Sequence, residues 1–497
     1  MSAYMGIDIG TTGCKAISFD ESGNMLASSY REYPLLTPKK GWAELDSNQV
    51  IDKCFEVIAE TSVHTSLPIR ALAVSSQGEA FTPIDNDGNI LANAMVSSDI
   101  RAADIAESWS EKFGRQKLYE ISGHTAHSIF TLFKLLWLRE NQKDVWQKTA
   151  KFLCFEDLLQ YKLGADPAIS WSLAGRTMMF DIKNHRWDDS ILEKLELEPH
   201  KLARPMRSGS LVGIVADNMA GKLGLSSGIS IVSGGHDQGC GALGAGVIDE
   251  NIAMYATGTV ECITPAFIKP QQSEVLFKNN LCTYDYTAEN MYTTVAYSLT
   301  GGNILKWFRD NFGQEELAQA ELSAKNAYEV LLEKMPGEPS DLIVLPYFTP
   351  SGTPYFESRT MGTIIGLNLN TGKKDINRAL LEGVAYEMRL NLDLLNESNI
   401  KINELRAIGG GAKNRKWTQL KADVLNKPIT NVEVTEAGCL GAAALAFAAV
   451  SDNDIKTIIK NWVKTGETVK PNPEFIDLYA DKFNTYRKLY SVIKTLL

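Results

Sequence analysis

Twice in this chain a strand runs into a turn of glycine and threonine and comes back as a second strand. The first copy is GIDIGTTGCK, residues 6–15. Ile7 and Ile9 alternate with Asp8, which reads as a short strand ending at Gly10. Gly10 and Gly13 permit backbone angles closed to other residues, and that suits a tight hairpin better than a helix start. Residues 15–19 resume the alternation. In the second copy, residues 252–256 enter the turn Thr257-Gly258-Thr259 and residues 260–263 leave it. The first tip offers backbone N–H groups, the hydroxyls of Thr11 and Thr12 and the ammonium of Lys15. These are groups that hold a polyphosphate, and Asp8 beside them is a hard oxygen donor of the kind magnesium takes. Either hairpin alone also reads as an ordinary polar turn. Their equivalent placement points to two related halves with phosphates clamped between them.

A chain of 497 residues exceeds the size at which a single core keeps growing, so two domains are expected, 1–245 and 246–497. Apolar content of 44% and charged content of 22% are those of a soluble globular protein. The net charge of −10 argues against nucleic acid as a main partner and leaves a nucleotide open. Seven cysteines are scattered with no CxxC pair, which predicts reduced thiols acting as small buried filler. The N-terminus reaches a strand within a few residues, without a basic-then-apolar leader. The longest apolar run, residues 439–450, is too short to span a bilayer. A cytoplasmic location with no membrane partner is expected.

Between the hairpins, a helix is predicted over residues 47–59, a strand over 69–75 and mainly helices over 101–165. A mostly apolar strand, residues 229–232, runs into GGHDQGCGALGAG, where Asp237 precedes a small-residue helix. A carboxylate at the C-terminal end of such a strand stands where α/β active sites lie, and it can accept the proton of a reacting hydroxyl. It also reads as a plain helix cap. His236 reads as a structural or supporting residue, since no metal-ligand spacing accompanies it. Late in the chain, a strand over 405–408 ends in Gly409-Gly410-Gly411 ahead of a helix from about Asn414. Three glycines let a flat or charged group approach the backbone closely. There is no GxGxxG here, and a surrounding βαβ unit is not expected.

GIDIGTTGCK, GGHDQGCGALGAG, YATGTVECI and IGGGAKNRKW, in this order and at these separations, resemble the FGGY family of carbohydrate kinases. FTLFKLLWLREN, residues 130–141, resembles the family's first signature, with Phe133 where many members have proline. MGTIIGLNLNTGKKDINRALLEG, residues 361–383, resembles the second. The resemblance spans essentially the whole chain. It implies an α/β, two-domain, ribonuclease H-like fold shared with actin and hexokinase, with a cleft between the domains. It implies ATP and magnesium, with the sugar on the N-terminal side. Asp8 would help hold the metal together with Asp237, which would also be the general base. Thr11, Thr12 and Lys15 would meet the phosphates from one side, and Gly258 and Thr259 from the other. Gly410, Gly411 and Asn414 would border the adenosine, with Asn303 close by. The expected partners are a small sugar and ATP, and the expected assembly is a homodimer.

The stretch SSQGEAF, residues 75–81, falls where the family's members differ by substrate. Xylulose kinases typically have Gln-Met-His-Gly there and glycerol kinases an Arg-Glu pair; this chain has Gln77-Gly78-Glu79-Ala80. In NAMVSSDIRA, Ser97 replaces the usual tryptophan, while Asp99 and Arg101 are retained. Glu79 and Asp99 are acceptors for polyol hydroxyls, and Gln77 can donate or accept. Gly78 and Ser97 are expected to leave extra room, which favours a substrate larger than glycerol, a xylulose-like ketopentose above all. A polyol or sugar-acid kinase is the alternative, with Arg101 as the candidate cation for an acid. A non-catalytic ATP-binding regulator on the same fold is the rival from another class.

Overall fold

The computed structural model describes residues 1–497 apart from 324, 358, 435 and 497. In the first half, β1 (Ala3–Ile9), β2 (Gly13–Asp20) and β3 (Met25–Glu32) form an antiparallel meander. Helix α1 (Ser47–His64) follows, capped by the Asp46 carboxylate, and leads to β4 (Ile69–Ser76), which lies parallel to β1. After an intervening run of helices and short strands come β5 (Leu211–Ile214), β6 (Ser230–His236) and helix α2 (Asp237–Gly244). The sheet order is β5-β6-β4-β1-β2-β3.

The second half repeats this plan. Strands β7 (Ile252–Thr257), β8 (Glu261–Phe267) and β9 (Ala296–Ser298) form the meander. Beyond the long helix α3 (Lys373–Glu397), β10 (Glu404–Ile408) lies parallel to β7. Helix α4 (Arg415–Leu425), β11 (Ile429–Val432), helix α5 (Ala437–Ala449) and β12 (Thr465–Val469) complete it. Six of the eight strands here run β12-β11-β10-β7-β8-β9, with the same sequence of parallel and antiparallel neighbours as in the first sheet, and the short pair Tyr284–Asp285 and Tyr292–Thr293 extends β8 at its far end. Each glycine-threonine hairpin therefore joins the first two strands of its own sheet.

Two details differ from the sequence reading. Strand β6 continues through Ser233-Gly234-Gly235-His236 rather than stopping at Val232. A Cβ on Gly234 would sit 2.0 Å from the Val74 carbonyl oxygen, so the glycine lets β6 stay against β4 up to its C-terminal end. Around the triple glycine a βαβ unit does exist, because β10 and β11 are parallel and α4 crosses between them.

The apolar run at 439–450 is α5, buried along nearly its whole length. It belongs to the second half of the chain yet packs on β1, β4 and β6 and crosses α2. The crossing is close because Gly244 faces the Ala437 carbonyl and Gly441 faces that of Cys240, where a Cβ would approach within 1.9 and 2.1 Å. A cut at 246 thus separates the sheets but not this helix, which lies in an apolar cluster drawn from both halves, with Tyr4, Ala71 and Val232 of the first and Met254, Ala266 and Ile459 of the second. All seven cysteines are free and buried. Among the described residues no helix is long and apolar enough to cross a membrane.

Candidate active site

The first hairpin is held from behind. The Gly10 N–H donates to the Gly13 carbonyl at 2.9 Å, and the Gly10 carbonyl accepts from Tyr33 Oη at 2.7 Å. Gln77 Nε2 also donates to that carbonyl, at 2.9 Å, while Gln77 Oε1 accepts from Thr11 Oγ1 at 3.3 Å. Both ends of Gln77, assigned to sugar from sequence, are thus engaged with the hairpin. Thr12 is exposed at the tip. Asp8 and Lys15 are opposite each other in the β1–β2 register. Asp8 Oδ1 accepts from Ser75 Oγ at 2.6 Å, and burial pushes its carboxyl above the ordinary range. Lys15 forms an ion pair with Glu436 at the start of α5.

The second hairpin stands on a buried charge network. Lys421 Nζ lies 2.7 Å from Glu261 and donates to Thr257 Oγ1 at 2.7 Å, and Tyr255 Oη donates to the same glutamate. Gly258 and Thr259 are exposed at the tip, where their carbonyls accept from the N–H groups of Gly302 and Asn303. The Asn303 side chain is engaged locally with Gly301 N–H and the Leu299 carbonyl. The three glycines divide their work. Gly409 (φ +90°) and Gly411 are pressed onto Thr257, where added Cβ atoms would come within 2.5 and 2.2 Å. Gly410 faces open space, with nothing within 4 Å of an added Cβ. Asn414 caps α4 by accepting from the Trp417 N–H at 3.1 Å.

Asp237 begins α2 directly beyond β6, and its side chain is 32% exposed. Its Oδ1 lies 3.2 Å from His236 Nε2. His236 Nδ1 lies 2.9 Å from Tyr284 Oη, and burial keeps the imidazole neutral, well below its usual pKa. The neutral ring thus has one nitrogen facing the tyrosine and the other facing Asp237, whose Oδ1 takes no hydrogen bond from the described residues. Burial, then the negative charges of Asp8 and Glu79, raise the Asp237 carboxyl to about 7. The next residue, Gln238, accepts from Cys262 Sγ at 3.1 Å, which brings β8 of the second half alongside.

On the remaining side, Glu79 sits on a turn with φ +65°, and its Oε1 accepts from Arg176 Nε at 2.6 Å and from Arg176 Nη2. Gly78 does not open a cavity. A Cβ there would meet the His236 ring at 3.0 Å and the Arg176 stem at 3.4 Å, so the space expected from sequence is already filled. Asp99 and Arg101 need the same correction. Asp99 is fully buried and accepts from the Ala43 N–H and from the Arg101 N–H and guanidinium. Arg101 also pairs with Glu44 at 2.6 Å and lies 3.6 Å over the Trp42 ring. The two brace the loop at 41–44 and present no free acceptor or cation.

Family models place the chain. The N-terminal domain of the FGGY family of carbohydrate kinases matches residues 3–244, and the C-terminal domain matches residues 253–450. The chain belongs to the FGGY family of carbohydrate kinases. It is an ATP-dependent phosphotransferase acting on an alcohol group of a carbohydrate. It is 28% identical to a xylulose kinase of Staphylococcus xylosus over 99% of this chain and 100% of that protein. It is 29% identical to a glycerol kinase of Streptococcus pyogenes over 94% and 92%. A gluconate kinase structure from Lactobacillus acidophilus superposes with a TM-score of 0.91 at 24% identity, over 99% of this chain and 98% of that one, and so shares the actin- and hexokinase-like fold.

The kinase also holds residues that the sequence did not single out. Arg176 follows the short helix Trp171–Gly175 and reaches Glu79 from 97 positions away, with no local pattern to mark it. Tyr284 comes from the second half and supports a histidine of the first. A capping pattern ahead of the arginine, Ser170 accepting from the Leu173 N–H, was the only local hint of that helix.

Proposed function

We propose that this kinase transfers the γ-phosphate of ATP to a hydroxyl of a neutral sugar, a xylulose-like ketopentose, with Asp237 as general base. The observation that carries this reading is the place of Asp237 at the junction of β6 and α2, with its carboxyl raised by burial and by the negative charges of Asp8 and Glu79. A carboxylate poised near 7 takes a hydroxyl proton as the oxygen attacks phosphorus, and this kind of general-base assistance contributes roughly a hundred- to ten-thousand-fold in rate. The buried ring of His236 packs beside the base.

The phosphates would lie between Thr11, Thr12 and Lys15 on one side and Gly258 and Thr259 on the other. Lys15 would exchange Glu436 for phosphate oxygens. Gly410, beside open space, would border the adenosine with Gly411 and Asn414. Asn303 would act through the Thr259 carbonyl, to which its N–H donates. Asp8 and Asp237 supply hard oxygen donors, one of them with an unpartnered buried Oδ1, and this fits a magnesium ion that keeps waters and phosphate oxygens as its other ligands. That ion, when bound, offsets the phosphate charge.

A neutral substrate is favoured over a sugar acid because both guanidiniums on this side are already neutralised, Arg101 by Asp99 and Glu44 and Arg176 by Glu79. The ketopentose is favoured by the xylulose kinase relative. A screen of ketoses, polyols, glycerol and aldonic acids with ADP release as readout tests it. The highest kcat/KM is expected for a ketopentose. A clear preference for an aldonic acid or for glycerol would overturn the choice of substrate.

A further inference from the structure

Arg176 is an arginine without a free charge at the edge of the sugar side. Its guanidinium lies between two aromatic rings, 5.2 Å from Phe130 and 5.4 Å from Tyr284, and its side chain is only 11% exposed. Two of its N–H groups converge on one oxygen of Glu79, Oε1. The remaining nitrogen faces the soft sulfur of Cys282 at 4.0 Å. The glutamate is fixed as firmly as the arginine. Its backbone carbonyl accepts from Thr131 Oγ1 at 3.0 Å and from Lys134 Nζ at 3.4 Å, both on the signature helix Thr131–Asn141. The protein's hydrogen bonds to this carboxylate all fall on Oε1, among the described residues, which leaves Oε2 for a ligand.

We propose that the Glu79–Arg176 pair determines substrate class, admitting neutral polyhydroxy compounds and rejecting sugar acids. This rests on the reading of Glu79 as a residue facing the sugar. A guanidinium beside the pocket is a natural partner for a carboxylate, because its planar fork matches two oxygens at once. Glu79 occupies that fork from inside the protein. An incoming aldonate would meet the negative Oε2 before it reached the arginine, whereas a neutral hydroxyl donates to Oε2 without repulsion. Lysine would not replace arginine here, since it lacks the fork and the flat face held between Phe130 and Tyr284.

The test measures binding, not turnover. Isothermal calorimetry with D-xylulose, D-gluconate and ADP is run on the native enzyme, on Glu79→Gln and on the double variant Glu79→Gln/Arg176→Gln. Glu79→Gln should weaken xylulose binding about ten- to a hundred-fold, the range for losing a hydrogen bond to a charged group. The same variant should bind gluconate at least about tenfold more tightly than the native enzyme, by gaining a charge-assisted pair. The double variant should lose that gain. ADP affinity reports an intact fold in each case, and Glu79→Ala serves if Glu79→Gln does not bind ADP. Absence of any gluconate gain in a variant that still binds ADP overturns the proposal, as does a gain that survives loss of Arg176. Failure of the native enzyme to bind xylulose would count against the ketopentose reading alone, because the gluconate comparison does not depend on it.

Discussion

His236 Nε2 lies 3.2 Å from Oδ1 of Asp237, on a ring whose other nitrogen is 2.9 Å from the hydroxyl of Tyr284. The ring beside the base is thereby held by a tyrosine from the opposite half of the chain, so the surroundings of the base depend on how the two halves meet. The charges around it set its titration. Burial, Asp8 and Glu79 raise its carboxyl to about 7, and a base works only when ionised. The kcat/KM of the kinase should therefore fall about tenfold per pH unit below about 7. The sign for stability is opposite. A carboxyl whose folded pKa lies above its unfolded value of 3.8 stabilises the fold at low pH, and that contribution is lost as pH rises through about 7. Replacing Asp8 by asparagine removes one of the two repelling charges and should move the acid limb to lower pH. A limb that stays in place with Asp8→Asn would separate the profile from Asp237.

The family resemblance sets Gly78 opposite the arginine of an Arg-Glu pair, so the simplest engineering idea is to introduce arginine there. The structure predicts failure. A Cβ at this position meets the His236 ring at 3.0 Å, and the ring is fixed by Tyr284. Gly78→Arg should cost about 1–3 kcal/mol by overpacking and lower kcat by disturbing the base, without conferring glycerol kinase activity. Urea denaturation and glycerol-dependent ADP release measure both. A stable variant with strong glycerol turnover would show that the pocket opens here after all.

The three glycines predict a contrast. Gly410→Val should fold normally, because the new side chain enters open space, but nucleotide affinity should fall at least about tenfold as that space is the one assigned to adenosine. Gly411→Val should instead destabilise, since its Cβ would come within 2.2 Å of Thr257. Melting temperature and ADP calorimetry on the two variants separate the outcomes. Equal nucleotide affinity in Gly410→Val and the native enzyme would place adenosine elsewhere.

Beneath the second hairpin, Lys421 is 5% exposed and Glu261 is fully buried. Lys421→Met would leave a buried carboxylate without its counter-charge, at a cost of about 3–5 kcal/mol. The double replacement Lys421→Met/Glu261→Gln should recover much of this, because no isolated charge remains. Recovery in the double variant identifies charge pairing as the cause; a double variant as unstable as the single one would assign the effect to packing around Tyr255 and Trp417.

The parts of this molecule that were legible in the chain are those written in local pattern. Alternation of Ile7, Asp8 and Ile9 with glycines beyond them specifies a hairpin, and its recurrence at Thr257-Gly258-Thr259 points to the doubled sheet. Asp237 was visible because it follows an apolar strand and opens a helix of small residues. What was not legible depends on contacts between distant residues. Gln77 looks like a sugar ligand until Gly10 and Thr11 are seen to take both ends of its side chain. Asp99 looks like an acceptor until Arg101 and the Ala43 N–H are in place. Gly78 looks like free volume, yet the volume is claimed by a histidine from β6 and an arginine that follows the helix Trp171–Gly175. The βαβ unit around the triple glycine was missed because a short buried strand such as Ile429–Val432 carries little periodicity of its own.

The proposed role of Asp237 is to take the proton of a sugar hydroxyl. Asp237→Asn keeps the size of the side chain and removes the base. Steady-state ADP release with a ketopentose, run beside calorimetry for sugar and ADP on the same preparation, is the most direct measurement. A fall in kcat of about a hundred- to ten-thousand-fold is expected, with both ligands still bound. Turnover within a few-fold of the native enzyme would contradict it.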